Sequence, residues 1–332
     1  VAKDELADIR ALASEDATKT ALRKALIALD KAKASKEELV AAVYQAAKDA
    51  ACAVAPAPVS APPKDKRKAD PEAAICLLAD WQYGKVTPGP YNSEICADRL
   101  RRYAAKVVRL IELQRTHHPV TEAHILLMGD LLEGELVFPS QAHRIDASLY
   151  RQLFDGADVL AQLVRTIAAS VERVKVVGCI GNHGAIGGKS RREMHPESNA
   201  DAMLYNIARL QCQSPTIDWQ ETLVTNERAW YATDDIMCKR WLIFHGDQIK
   251  GASLGYPWYG YGKKLLGYYS AVQQFDYSAS GHWHVPVRMT LNTITHWGAG
   301  STESGNTYAQ EYMASGSQQP SQWLLFQGEH GV

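Results

Sequence analysis

The sequence predicts an α/β fold preceded by a separate helical segment, and three observations carry that prediction. From residue 73 onward, short β-rich apolar runs alternate with longer stretches of helical spacing, the pattern of a layered α/β core. Residues 1–54 instead contain neither Gly nor Pro and are rich in Ala, Leu, Lys and Glu. Between them lies a Pro-, Ala- and Lys-rich stretch, residues 55–72, that cannot build a core and reads as an extended linker. The expected organisation is therefore a helical appendage at 1–54, a linker at 55–72 and an α/β domain at 73–332.

In the appendage, Leu22, Leu26 and Leu29, and again Leu39, Val43 and Ala46, repeat at helical spacing, and Ser35 with Glu38 forms a capping-box pattern. In the main domain, Ala73–Ala79 reads as a buried strand and Asn92–Arg115 as a helix. Glu122–Met128 is a second strand, Ala147–Ser170 a second helix and Val174–Ile180 a third strand. Pro196–Leu210 has helical spacing, with Pro196 expected in its first turn. Met237–Phe244 and Tyr277–Ser280 are further strands, and short strands are expected after Val285.

The 332 residues are 46% hydrophobic and 22% charged, with a net charge of −1 and a pI near 6.9. These values exclude a disordered chain and a protein that coats nucleic acid by bulk charge alone. No apolar run approaches a membrane span, and the first residues have no signal-peptide core, so a cytoplasmic location is expected. None of the six cysteines sits in a C-x-x-C pair; they are expected to be buried, reduced thiols.

Five polar motifs punctuate the domain: Asp80-Trp-Gln82, Gly129-Asp130, Gly181-Asn182-His183, His245-Gly-Asp247 and Gly281-His282-Trp-His284. The first four directly follow apolar runs. Ligands in open α/β sheets bind beyond the carboxyl ends of strands, so residues far apart in sequence would converge on one edge. Singly, each motif reads as a turn or a structural histidine. As an ordered set they supply oxygen and nitrogen donors without thiolate, which suits Mn²⁺, Mg²⁺, Fe or Zn²⁺.

This ordered set resembles the calcineurin-like metallophosphoesterases. The resemblance spans about residues 73–300. It implies a β-sandwich flanked by helices, with two divalent metal ions, Mn²⁺ foremost, at one edge. It also implies Asp130 as the bridging carboxylate, Asp80 and His284 as ligands of one ion, and Asn182, His245 and His282 as ligands of the other. His183 would stand over the phosphate as charge stabiliser or general acid, and a metal-bridging hydroxide would be the nucleophile. Gln82 departs from the family, which carries His there; its oxygen is expected to ligate weakly or to bond a metal-held water. Gly184 replaces an acidic residue that orients the histidine in some relatives, and Asp247 is a candidate carboxylate behind the ligands.

For substrate, Lys189, Arg191 and Arg192 in a Gly-rich loop and Tyr256, Trp258 and Lys263 in an aromatic loop are candidate contacts. Glu133–Ala142 is expected to line the pocket. The domain is similar to the phage-type branch of the family that includes DNA double-strand-break repair exonucleases. That likeness implies a DNA nuclease; a phosphoesterase for a nucleotide or small metabolite, or a non-catalytic scaffold, are the alternatives. Residues 1–54 are expected to serve oligomerisation or partner docking, with no membrane partner.

Overall fold

The structure, a computed structural model, describes residues 38, 41, 42, 45, 59, 62, 64–67, 70–135, 137, 138, 141–186, 198–220, 230–251, 255–305 and 319–332. The chain divides into two units, Val1–Ala50 and Ala51–Val332. In the first, Glu38, Ala41, Ala42 and Gln45 are helical and exposed, one face at helical spacing. The other helical expectations for residues 1–54 lie outside the described residues.

Among the described residues, the second unit holds ten strands in two five-stranded sheets. The first contains β1 (Glu72–Leu78), β2 (Val120–Leu127), β3 (Arg173–Gly178), β4 (Ile217–Trp219) and β10 (Trp323–Gln327). Their order is β10-β1-β2-β3-β4; β1 to β4 run parallel and β10 is antiparallel to β1. The second sheet, ordered β5-β6-β7-β9-β8, contains β5 (Tyr231–Ile236), β6 (Lys239–Phe244), β7 (Tyr277–Ser280), β8 (Val287–Leu291) and β9 (Ile294–Gly298). There β6, β7 and β9 are parallel, while β5 and β8 close the edges antiparallel.

Strand alternation explains why these runs are apolar on both faces. Ala73, Ile75 and Leu77 of β1 meet Trp241 and Ile243 of β6 in one core between the sheets. The intervening Leu242 and Phe244 point the other way, into a second core with Tyr261 and Leu265 of α4 (Trp258–Ala271). A strand covered on both faces reads as continuous hydrophobicity rather than alternation. The result is a mixed α/β sandwich. Helix α1 (Ser93–Gln114) is capped by Asn92, whose side chain accepts from the Ile95 amide, and buries Cys96, Leu100, Ala104, Val107 and Ile111. Helix α2 (Leu149–Ala168) lies between α1 and α3 (Ala200–Gln211) and rests on β2 and β3.

Three expectations are corrected. Helix α3 starts at Ala200 behind an Asn199 cap, later than the expected start, and Pro196 lies outside the described residues. Residues 258–264 form the start of α4 rather than a loop. Cys76, Cys96, Cys179 and Cys212 are buried, but Cys238 is exposed in the β5–β6 turn; Cys52 lies outside the described residues. Among the described residues no helix is long and apolar enough to cross a membrane.

Candidate metal centre

The parallel strands of each sheet run toward one edge of the sandwich, and the polar motifs sit just past the ends of β1, β2, β3, β6 and β7. The backbone turns sharply there. Asp80, Gln82, Asp130, His282 and His284 all have positive φ, five of the nine such non-glycine residues described. Each costs roughly 1–3 kcal/mol and persists only where surrounding contacts over-determine it. Those contacts are present. Buried Asp201, at the start of α3, accepts the amides of Asp130 (2.9 Å), Leu131 (3.0 Å) and Gly181 (2.8 Å). The Asp80 carboxylate accepts the His282 amide at 2.8 Å, and the Asp130 carboxylate accepts the His183 amide at 2.7 Å. One motif's side chain thus holds the next motif's backbone.

Asp130, His245 and His282 each present a ligating atom within 4.8 Å of the others. His245 Nε2 lies 2.9 Å from Asp130 Oδ2, 3.1 Å from Asn182 Oδ1 and 3.2 Å from His282 Nδ1. His245 Nδ1 lies 2.7 Å from the Met128 carbonyl, so that nitrogen carries hydrogen and Nε2 keeps its lone pair for the centre. Beside this group, His284 Nε2 is 3.5 Å from Asp80 Oδ1 and 3.1 Å from Gln82 Nε2. The other nitrogen, His284 Nδ1, is 3.2 Å from Glu303 Oε2. Asp80, Gln82, Asp130, Asn182, His245 and Glu303 are buried, and His282 and His284 are half-buried.

The donor set fits a divalent cation. Asp80 Oδ1 is a buried carboxylate oxygen without a hydrogen-bond partner, and lone pairs of Asn182, His245, His282 and Asp130 face one another. Burial resists a charge on His245, yet Asp130 beside it lifts its pKa to about 10. Burial likewise opposes and Asp80 raises that of His284, also to about 10. Burial and the neighbouring His245 push His282 down. Burial works against ionisation of Asp130, but His245 and His183 hold its carboxyl well below the usual range.

His183 stands at the mouth of the group. Its Nδ1 lies 3.1 Å from Glu133 Oε2, and its Nε2 lies 3.9 Å from Asp130 Oδ2. Burial resists protonation of His183, but Glu133 and Asp130 raise its pKa. The orienting carboxylate that Gly184 cannot supply thus comes from Glu133, three residues after Asp130. Gln141 steadies that loop by donating to the Glu133 carbonyl at 2.6 Å and accepting from the Val137 and Phe138 amides.

All seven proposed ligand residues and His183 come together at this edge. Gln82 differs in one respect: its oxygen accepts from Lys85 Nζ at 2.6 Å, which leaves its amide nitrogen toward His284. Asp247 is half-buried and within electrostatic reach of His245. Lys189, Arg191 and Arg192 lie outside the described residues. Tyr256 is a core residue, stacked on Tyr261 at 4.9 Å and 3°, so it offers no open face for a base. Trp258 is 45% exposed, its neighbour Tyr259 is 84% exposed, and Lys263 is exposed.

Sequence reasoning missed Lys85, Asp201 and Glu303, and assigned no role to Glu133. Glu303 carried a usable signal, since it follows the apolar end of β9 as the other motifs follow theirs. Asp201 looks like any acid in a helical first turn.

No family model matches the chain, and no curated protein matches it. Solved structures do show partial likeness. A predicted phosphoesterase from Streptococcus pneumoniae matches at 12% identity over 79% of this chain and 93% of its own, with a TM-score of 0.31. An archaeal phosphodiesterase matches at 8% identity over 76% and 99%, TM-score 0.33. A zinc-bound Vps29 from Entamoeba histolytica matches at 11% identity over 69% and 74%, TM-score 0.29. Similarities this low carry no argument about this chain.

Proposed function

We propose that this chain is a divalent-metal-dependent phosphodiesterase, with DNA as the substrate class and nuclease action as the reaction. The observation that supports it most is the convergence of Asp130, Asn182, His245 and His282 beside a Glu133-paired His183. Asp80, Gln82 and His284 extend the same edge. Two divalent ions, Mn²⁺ foremost, would be held by Asp80, Asp130 and His284 and by Asp130, Asn182, His245 and His282. Bound there, they supply positive charge to an anionic phosphoester and lower the pKa of a bound water.

The chain's own groups do the rest. Asn182 and the imidazoles add no negative charge, so the edge stays cationic toward phosphate once ions are bound. Glu133 on Nδ1 keeps the other His183 nitrogen, Nε2, directed at the centre, where it holds the proton a leaving oxygen needs. Trp258, Tyr259 and Lys263 on α4 favour a polymeric substrate. The ring of buried Tyr256 lies 4.8 Å from Trp258 and 6.5 Å from Trp283, which sits between His282 and His284. Exposed aromatics with lysines suit stacking on bases and contact with a phosphate backbone.

The test is incubation of the full chain and Mn²⁺ with bis-p-nitrophenyl phosphate, the p-nitrophenyl monoester and an end-labelled DNA oligonucleotide. Cleavage of the diester and the oligonucleotide is expected. Turnover of the monoester alone would favour a small-molecule phosphoesterase, and no turnover with any divalent ion would favour a scaffold.

A further inference from the structure

Gln82 occupies the position where the sequence departs from the metallophosphoesterase pattern, and its surroundings decide what its amide can do. The side chain is buried. Its Oε1 receives the Lys85 ammonium at 2.6 Å. Lys85 is only 14% exposed at its side chain, lies 3.0 Å from Glu303 Oε1 and 3.9 Å from Glu133 Oε2, and is not free to leave. An ammonium has donors and no acceptor, so it selects the amide orientation with the oxygen toward itself. The opposite orientation would set two donors against each other at Lys85, 2.6 Å away; a proton on His284 Nε2, at the longer 3.1 Å, is one that a bound cation would displace.

The consequence falls on the other end of the amide. The nitrogen, Gln82 Nε2, is turned to the centre, 3.1 Å from His284 Nε2. An amide nitrogen has no lone pair to give a cation, so in this orientation Gln82 adds a hydrogen-bond donor to the centre and no ligand. His284 Nδ1 faces Glu303 Oε2, which leaves His284 Nε2 as the nitrogen a cation would take. The Gln82 N–H then needs an acceptor in the same space, and a phosphoryl oxygen is the acceptor a phosphodiesterase brings there.

We propose that Gln82 is a substrate-oxygen donor rather than a metal ligand, and that Lys85 is the positioning residue that locks it in that role. The proposal rests on the phosphodiesterase reading for its substrate, but its test does not depend on turnover. The experiment is isothermal calorimetry on the full chain, first with Mn²⁺ and then, on the Mn²⁺-loaded protein, with inorganic phosphate. Thermal melts serve as a check on folding.

Gln82→Ala is expected to leave Mn²⁺ affinity within about twofold and to weaken phosphate about tenfold or more, the loss of one hydrogen bond to a charged oxygen. Lys85→Met frees the amide to turn its oxygen inward; Mn²⁺ should bind more tightly and phosphate more weakly, while Lys85→Arg preserves both. A Gln82→Ala protein that melts normally but loses an ion, or binds Mn²⁺ tenfold more weakly, would overturn the proposal. So would unchanged phosphate affinity. If the wild type cleaves no diester but phosphate binding still depends on Gln82, the phosphodiesterase reading fails and this one stands.

Discussion

The most consequential pairing at the residue scale is His183 with Glu133. A carboxylate on Nδ1 raises the basicity of the imidazole and aims its other nitrogen at the centre. His183→Ala should therefore retain metal, measured by calorimetry, and lose about 10²- to 10⁴-fold in turnover, the usual worth of a positioned acid. Activity within a few-fold of wild type would reject that role. Glu303 plays the corresponding part for His284. Lys85 overcomes the effect of burial on Glu303 and lowers its pKa to about 2, so it is an anion at any working pH. Glu303→Gln removes the anionic acceptor from His284 Nδ1, and metal affinity should fall about 10- to 100-fold in the same calorimetric measurement. The residues that converge at this edge were legible in the sequence because metal chemistry restricts candidate ligands to a few residue types at strand ends. Glu303, Lys85 and Asp201 were not, because a supporting carboxylate or ammonium is defined by what it touches and not by its spacing.

At the scale of elements, the centre depends on two tight approaches. Gly129 packs against Gly181, and Gly181 lies against the Asp130 carboxylate and amide. A methyl group at Gly181 would displace Asp130, so Gly181→Ala should abolish metal binding, with a fold that still melts cooperatively. Asp201 joins these loops through three amides and its burial, with Asp130 nearby, raises its pKa to about 6. Asp201→Asn turns one acceptor into a donor facing an amide and should cost about 1–3 kcal/mol in urea unfolding.

The helices and parallel strands were largely readable. Asn92–Arg115 was expected, and α1 spans Ser93–Gln114 between those same residues as caps. Helix α4 was not readable. Gly260, Gly262 and Gly267 give it poor intrinsic propensity, and it forms because Tyr261 and Leu265 bury against β6. Strand β5 was missed because Asp234 and Asp235 interrupt it. Asp234 is buried and bonded to His124 at 2.6 Å and Lys175 at 2.5 Å, contacts no local pattern reveals.

Across the whole molecule, titration separates the second core from the metal edge. His296 on β9 is fully buried between Tyr261 and Ser278, and burial lowers its pKa to about 3. Unfolded, it would titrate near 6.5. Between those values the unfolded chain binds a proton that the folded chain does not. Stability should therefore fall as pH drops below 6.5, by up to about 1.4 kcal/mol per pH unit from this group. In urea unfolding from pH 7 to 4.5, the wild type should lose stability relative to His296→Gln by up to about that slope, and equal pH dependence in the two proteins would reject it. The metal edge works in the opposite sense: His245 and His284 are protonated there until a cation displaces the protons, so binding should release protons and strengthen as pH rises.

The central claim is that strands from both sheets deliver one cation-binding edge built around Asp130. Calorimetric titration of Mn²⁺ into the full chain and into Asp130→Asn, in two buffers of different ionisation enthalpy, tests it most directly. The expected result is saturable binding with proton release in the wild type, and binding weaker by about tenfold or more in the variant. Absence of binding in the wild type, or equal binding in the two proteins, would contradict the account.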